Sequence, residues 1–181
     1  DLEATFAELS EVLHREADYT QEKENLLRYG AHLASDSRFI VPRPFENACG
    51  SRVLTMSWEE GIPLHDWLRT EPEMKARLEV AHAMLDRYCA EFFEWGFVQT
   101  DPNLGNFTRR PDGRLVLLDL GAALDYDADF RERYVALLQV IGSGDESDIV
   151  RAGVDMQLLD SRESDDTQRA QYSAPRSKLK P

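Results

Sequence analysis

The stretch that decides the fold runs Gln99-Thr100-Asp101-Pro102-Asn103-Leu104-Gly105-Asn106-Phe107 and resumes, after a short excursion, as Leu117-Leu118-Asp119-Leu120-Gly121. Residues 107–109 are predicted to leave as a short strand. Arg110-Pro111-Asp112-Gly113 suits a type I turn, with Pro second and Gly fourth. Residues 115–118 then return beside the first strand. That return brings Asp119 towards Asn106, so that two oxygen ligands converge on one hard cation such as Mg²⁺. Pro102 biases Asp101 to an extended backbone, so its carboxylate projects from a loop. Asp and Asn are ordinary turn residues, and an Asp-x-x-x-x-Asn match alone is a weak signal. The apolar run Leu115-Val116-Leu117-Leu118 puts Asp119 at a buried strand end, which favours a site over a surface hairpin. An Asp, an Asn and a second Asp returned to the same place are the parts that hold metal-bound nucleotide phosphates for phosphoryl transfer.

With 181 residues, 42% of them hydrophobic, the chain is long enough for one domain with a real core. It carries 21 Lys and Arg against 34 Asp and Glu, a net charge of −13. That balance excludes non-specific nucleic-acid binding and docking on anionic lipid through this surface. It would also repel phosphates, unless a divalent cation inverts the local field. Cys49 and Cys89 form neither a disulfide framework nor a metal-ligand spacing. No stretch approaches the roughly 20 apolar residues of a membrane-spanning helix, and no secretory signal opens the chain. A cytoplasmic location is the expectation. The first residue is Asp1, and a helical pattern begins at once, which reads as a fragment of a longer protein.

Leu2, Phe6, Leu9 and Leu13 predict an amphipathic helix over residues 2–15. A second helix is predicted from Asp18, whose side chain caps it with Gln21 completing a capping box. It runs to residue 33 with Leu26, Tyr29 and Leu33 facing inward and Glu22 one turn before Leu26. Residues 40–44 and 52–58 read as strands, and residues 59–63 as a connector between two lobes. The longest helix is expected over residues 73–95, with Leu78, Ala81, Leu85, Tyr88, Phe92 and Trp95 as its buried stripe and Gly96 ending it. His82, beside that stripe, reads as a packing residue. Asp127 is placed to cap a further helix, and residues 145–159 form one more. From residue 161 the apolar periodicity stops, so residues 161–181 read as a disordered tail.

Two stretches together give the chain a family resemblance. Glu16-Ala17-Asp18-Tyr19-Thr20-Gln21-Glu22-Lys23-Glu24-Asn25 is similar to Glu-x-Asp-Tyr-x-x-Glu-x-x-Asn, and the loop from Phe97 to Gly121 carries the second motif. The chain resembles the UbiB family, the aarF-domain atypical kinase-like proteins tied to ubiquinone biosynthesis. The wording Gln-Thr-Asp-Pro-Asn is nearest the coenzyme Q-associated members. The resemblance covers about residues 1–155. It implies an α+β, protein-kinase-like fold: an incomplete N-lobe over residues 1–58, the connector, and a mostly helical C-lobe over residues 64–160.

Carried over by position, the resemblance makes Asp101 the catalytic-loop aspartate and Asn106 and Asp119 the metal ligands. Glu22 becomes the helix glutamate that pairs with a nucleotide-contacting lysine. Glu16 and Asp18 match a family pair thought to lie over the active site, where a protein substrate would otherwise sit. The cofactors implied are ATP and Mg²⁺. The implied partners are a lipophilic quinone precursor or quinone-biosynthesis proteins, with a peripheral place at the inner membrane reached only through segments outside this chain. Three departures stand out. No strand precedes Glu22, so the lysine and the alanine-rich phosphate loop are missing. Leu120 replaces the Phe of Asp-Phe-Gly, and Gln99 replaces a common His. The isolated chain is therefore expected to be inactive. The alternatives are a small-molecule phosphotransferase of the aminoglycoside or choline kinase type, which lacks the stretch at residues 16–19, and a non-catalytic nucleotide-binding scaffold.

Overall fold

The computed structural model describes residues 18–159. The helix expected over residues 2–15 and the tail over residues 161–181 lie outside them. The chain divides into two compact units, the first ending at Asp125 and the second beginning at Tyr126.

Helix α1, Tyr19–His32, starts where it was expected, because Asp18 accepts the Thr20 N–H at 2.9 Å. The capping box is only half formed. Gln21 turns away from the cap and donates to Asn25 Oδ1 at 3.1 Å. Asn25, Leu26, Tyr29 and Leu33 are buried along one side. Strand β1 is short, Phe39–Ile40. The two strands expected over residues 40–44 and 52–58 shrink to isolated bridges, Pro44 with Met56 and Gly50 with Val53. Pro42 and Pro44 lack the N–H groups a ladder needs, which accounts for the loss.

The expected connector ends in a strand, β2, Ile62–Pro63. Gly61 makes this possible. A Cβ there would lie 2.5 Å from the Thr108 methyl and 2.7 Å from the Arg109 carbonyl oxygen, so only glycine fits against the hairpin. Glu59 then ties the connector to the hairpin turn by accepting from Arg110 Nη1 at 2.6 Å.

Helix α2, Leu64–Arg69, precedes the long helix α3, Met74–Cys89. A π-helical turn, Ala90–Trp95, continues α3, and Gly96 stops it in the left-handed conformation at φ 66°. The expected inner stripe holds at its far end, where Trp95 packs against the core and Tyr29, and is corrected over the preceding turns. Leu78 and Leu85 are 48% and 60% exposed, while Val80, Ala83, Arg87 and Glu91 face inward. The inward positions are taken instead by Arg87 and Glu91, four apart and fully buried as an ion pair; a buried charge is tolerated only with its partner beside it, so the two occupy that face together. His82 is likewise exposed rather than packed.

Strands β3 (Phe97–Gln99), β4 (Phe107–Arg109), β5 (Leu115–Leu117) and β6 (Ala123–Asp125) complete the first unit. The four-stranded sheet has the order β1-β5-β4-β2, and β3 pairs with β6 in a separate ribbon. The β4–β5 hairpin closes as expected, with Gly113 N donating to Arg110 O at 3.0 Å. Phe97, Phe107, Leu115, Leu117 and Leu120 form one core with the buried face of α1. The second unit holds α4, Ala128–Ser143, and α5, Glu146–Asp155. Asp127 caps α4 through Phe130 N, and Asp145 caps α5 through Ser147 N and Asp148 N. Arg133 Nη1 donates to Asp155 O at 3.1 Å and fastens the two helices together.

Candidate functional site

Between β3 and β4 the chain forms a tight loop that sets Asp101 and Asn106. Asn103 Oδ1 accepts from Gly105 N at 2.9 Å, starting a 3₁₀ turn over Leu104–Asn106. The turn swings Asn106 back, and its Nδ2 donates to Asp101 Oδ2 at 2.8 Å. With the amide nitrogen engaged, the carboxamide oxygen of Asn106 stays available as a hard ligand. The main chain of Asn106 is fixed as well, since its carbonyl accepts from Leu118 N at 2.9 Å. Register does the rest. Phe107 faces Leu117 across the hairpin, so Asn106 and the Asp119 turn emerge at the same end.

Asp119 itself is exposed, although the strand leading to it is buried. Its Oδ1 accepts from Gly121 N at 3.0 Å. Its carbonyl accepts from the buried Gln99 side chain at 3.3 Å. Gln99 in turn gives its own N–H to Glu91 Oε2 at 3.2 Å, so the buried Arg87–Glu91 pair supports the start of the loop.

Glu22 reaches the same place from α1. A Cβ on Gly121 would stand 3.4 Å from Asp119 Oδ1 and 4.0 Å from Glu22 Oε2, so the two carboxylates flank one glycine. Burial holds the Glu22 carboxyl above the ordinary range, and the Asp119 charge pushes it further the same way; a Leu120 backbone hydrogen bond works against both. Two like charges are thus drawn together around a turn, an arrangement that a bound cation would relieve. Among the described residues no three His, Cys, Asp or Glu side chains group to hold a metal ion. Mg²⁺ takes one or two protein oxygens and completes its shell with phosphate and water. Asp119 and Asn106 offer that kind of donor set.

Asp101 is bonded to Asn106, Glu22 and Asp119 flank Gly121, and both pairs lie at the same end of the hairpin. Asp18 does not join them; it is exposed and caps α1, and the hydrogen bonds from Thr20 hold its carboxyl below the usual range. Glu16 lies outside the described residues. Sequence reasoning passed over Asn25 as a site residue, yet Asn25 Nδ2 donates to Leu120 O at 2.7 Å in a fully buried contact. The available signal was a carboxamide on the apolar side of α1, since a buried amide needs a specific partner.

The ABC1 atypical kinase-like domain matches residues 1–153. The chain belongs to the ABC1 atypical kinase family. It is 33% identical over 160 residues to the mitochondrial atypical kinase COQ8B of Danio rerio, covering 85% of this chain and 25% of that protein. It is 30% identical over 164 residues to the mitochondrial atypical kinase COQ8 of Schizosaccharomyces pombe, covering 90% and 26%. The chain thus spans about a quarter of the length of these relatives. The solved structure of Rv3197 from Mycobacterium tuberculosis, a complex with erythromycin, superposes with a TM-score of 0.70 at 22% identity, over 84% of this chain and 38% of that one. The α+β, kinase-like fold read from the motifs is what these likenesses show. Among the described residues no helix is long and apolar enough to cross a membrane.

Proposed function

We propose that this chain is part of an ATP-dependent atypical kinase or ATPase that supports isoprenoid quinone biosynthesis, with the nucleotide held as its Mg²⁺ complex at Asp119 and Asn106. The observation that carries the reading is the convergence of Asp101, Asn106, Asp119 and Glu22 at the open end of one hairpin. Mg²⁺ would neutralise the phosphates where two carboxylates would otherwise repel them. Asp101, with Oδ2 steadied by Asn106, would orient the attacking hydroxyl or water. Glu22 would pair with a lysine, and among the described residues neither Lys23 nor Lys75, both on helices, is placed on a strand to meet it. For that reason the isolated chain is expected to turn over ATP far more slowly than the roughly 1–100 s⁻¹ of ordinary kinases.

The quinone pathway is supported by the resemblance to coenzyme Q-associated members and by the COQ8 relatives. The acceptor would be a lipophilic quinone precursor or water, at the aqueous face of an inner membrane. The test is Asp119→Ala in the full-length protein. Mg²⁺-dependent nucleotide affinity should fall by about tenfold or more, with the circular dichroism spectrum unchanged. Affinity and metal dependence that survive the substitution would sink the assignment.

A further inference from the structure

The turn end of the β4–β5 hairpin, opposite the end that carries Asn106 and Asp119, closes over a cavity of about 520 Å³. That volume is ordinary for a small-molecule site. Its apolar lining comes from Ala76, Val80 and Ala83 on α3 and from Leu115 on β5. Arg38, Arg109 and Arg114 bring three guanidinium groups to the same cavity, in a protein of net charge −13.

Two of the three are already engaged. Arg38 bonds Asp36 at 2.7 Å and Asp86 at 2.6 Å, and Arg114 bonds Asp112 at 2.8 Å. Arg109 is different. Among the described residues it has no carboxylate partner, and its buried Nε–H has no acceptor. Its guanidinium lies 4.6 Å from the Trp67 ring, which orients the plane without neutralising it. The free end is aimed at the cavity wall, with Nη2 3.5 Å from where a Cβ on Gly113 would stand. A partly buried guanidinium with unmet donors is costly unless an anion completes it.

We propose that this cavity binds a small monoanion with an apolar body, an organic carboxylate whose head group pairs with Arg109. The planar fork of Arg109 matches a carboxylate in two-point contact. The apolar lining would take the body. Glu79, part of the lining and without an ion-pair partner among the described residues, repels a doubly charged ligand and selects against free phosphate, whereas Asp112 is already neutralised by Arg114. This site is separate from the proposed nucleotide site, and it stands whether or not that reading holds.

Isothermal titration of the full chain with benzoate, octanoate, benzyl alcohol and inorganic phosphate tests the site. Benzoate or octanoate should bind at a millimolar Kd or better, about what one charge-assisted contact in an apolar cavity supports. Benzyl alcohol should not. Arg109→Gln should weaken the acid by about tenfold or more. Ser37→Trp, at an exposed position on the rim, should obstruct entry and do the same if Arg109→Gln fails to fold. Saturating MgATP should leave binding intact. Absence of saturable binding, insensitivity to both variants, displacement by MgATP, or phosphate binding as well as the organic acids would each overturn the proposal.

Discussion

Asn25 of α1 and Leu120 of the Asp-Leu-Gly turn are joined by a fully buried 2.7 Å hydrogen bond across 95 residues of sequence. Asn25 is one turn beyond Glu22, and its side-chain Oδ1 accepts from Gln21 Nε2 at 3.1 Å. The bond fixes how far α1 stands from the turn that carries Asp119, and so it sets where Glu22 meets that carboxylate.

Asn25→Leu should therefore cost about 1–3 kcal/mol, the penalty for leaving the Leu120 carbonyl buried without a donor. Asn25→Asp should cost more at neutral pH, because it adds a third carboxylate beside Glu22 and Asp119. Part of that loss should return as pH falls, since a protonated Asp can donate to Leu120 again. Urea unfolding of both variants at acidic and neutral pH measures this. Equal losses at both pH values for Asn25→Asp would disprove the account.

Glu22 gives a pH signature of its own. Its carboxyl is raised, by burial first and by Asp119 second, so the charged form is disfavoured in the folded state. The sign follows directly: the folded protein keeps the proton longer than the unfolded chain, and stability falls as pH rises through the raised value. Glu22→Gln does not titrate. Its melting temperature should match the wild type near pH 4, about where an ordinary Glu titrates, and exceed it near neutrality. Added Mg²⁺ should narrow the neutral gap by stabilising the wild type more. A variant less stable than wild type at neutral pH would contradict the electrostatic reading.

What the sequence revealed, and what it hid, divides by the range of the forces involved. The hairpin, the caps at Asp18 and Asp127, and the stop at Gly96 were legible because each depends on a few neighbouring residues. The return of the Asp119 turn to the Asn106 end of the hairpin followed from the hairpin itself. The inner face of α3 was not legible. A periodicity of apolar residues cannot anticipate that Arg87 and Glu91 will be buried as a pair and displace Leu78 and Leu85 to the surface. The strands at residues 40–44 and 52–58 failed for a local reason that had been in view, the two prolines. Asn25 and Gln99 were hidden as fasteners because both act on main-chain groups of a turn far away in sequence.

The buried Arg87–Glu91 pair makes a separate stability prediction. Glu91 is wholly buried, which pushes its carboxyl well up, while Arg87 pulls it back. Arg87→Leu leaves Glu91 without its cation and should cost about 3–5 kcal/mol at neutral pH. Because the buried carboxyl then protonates more easily, the loss should shrink in acid. Glu91→Gln keeps an acceptor for the Gln99 N–H and should be milder than Glu91→Leu, which removes it. Chemical denaturation of the three variants ranks them. A milder Glu91→Leu would mean that the hydrogen bond to Gln99 contributes nothing.

Asp18 separates a structural role from a functional one. Its carboxylate caps α1, and the family resemblance gives it, with Glu16, a place over the active site. Asn is as good an N-cap as Asp, whereas Ala there costs typically about 1 kcal/mol. Asp18→Asn should thus keep the melting temperature of the full-length protein, and Asp18→Ala should lower it. If the charge matters to function, both substitutions, each combined with Glu16→Gln, should raise autophosphorylation and depress quinone content in a deletion strain. The asparagine version would do so without loss of stability. If Asp18 is only a cap, the asparagine version will behave as wild type in both assays while the alanine version tracks its own lower melting temperature. Labelled-phosphate incorporation and quinone extraction, run on the two double variants side by side, decide between those outcomes.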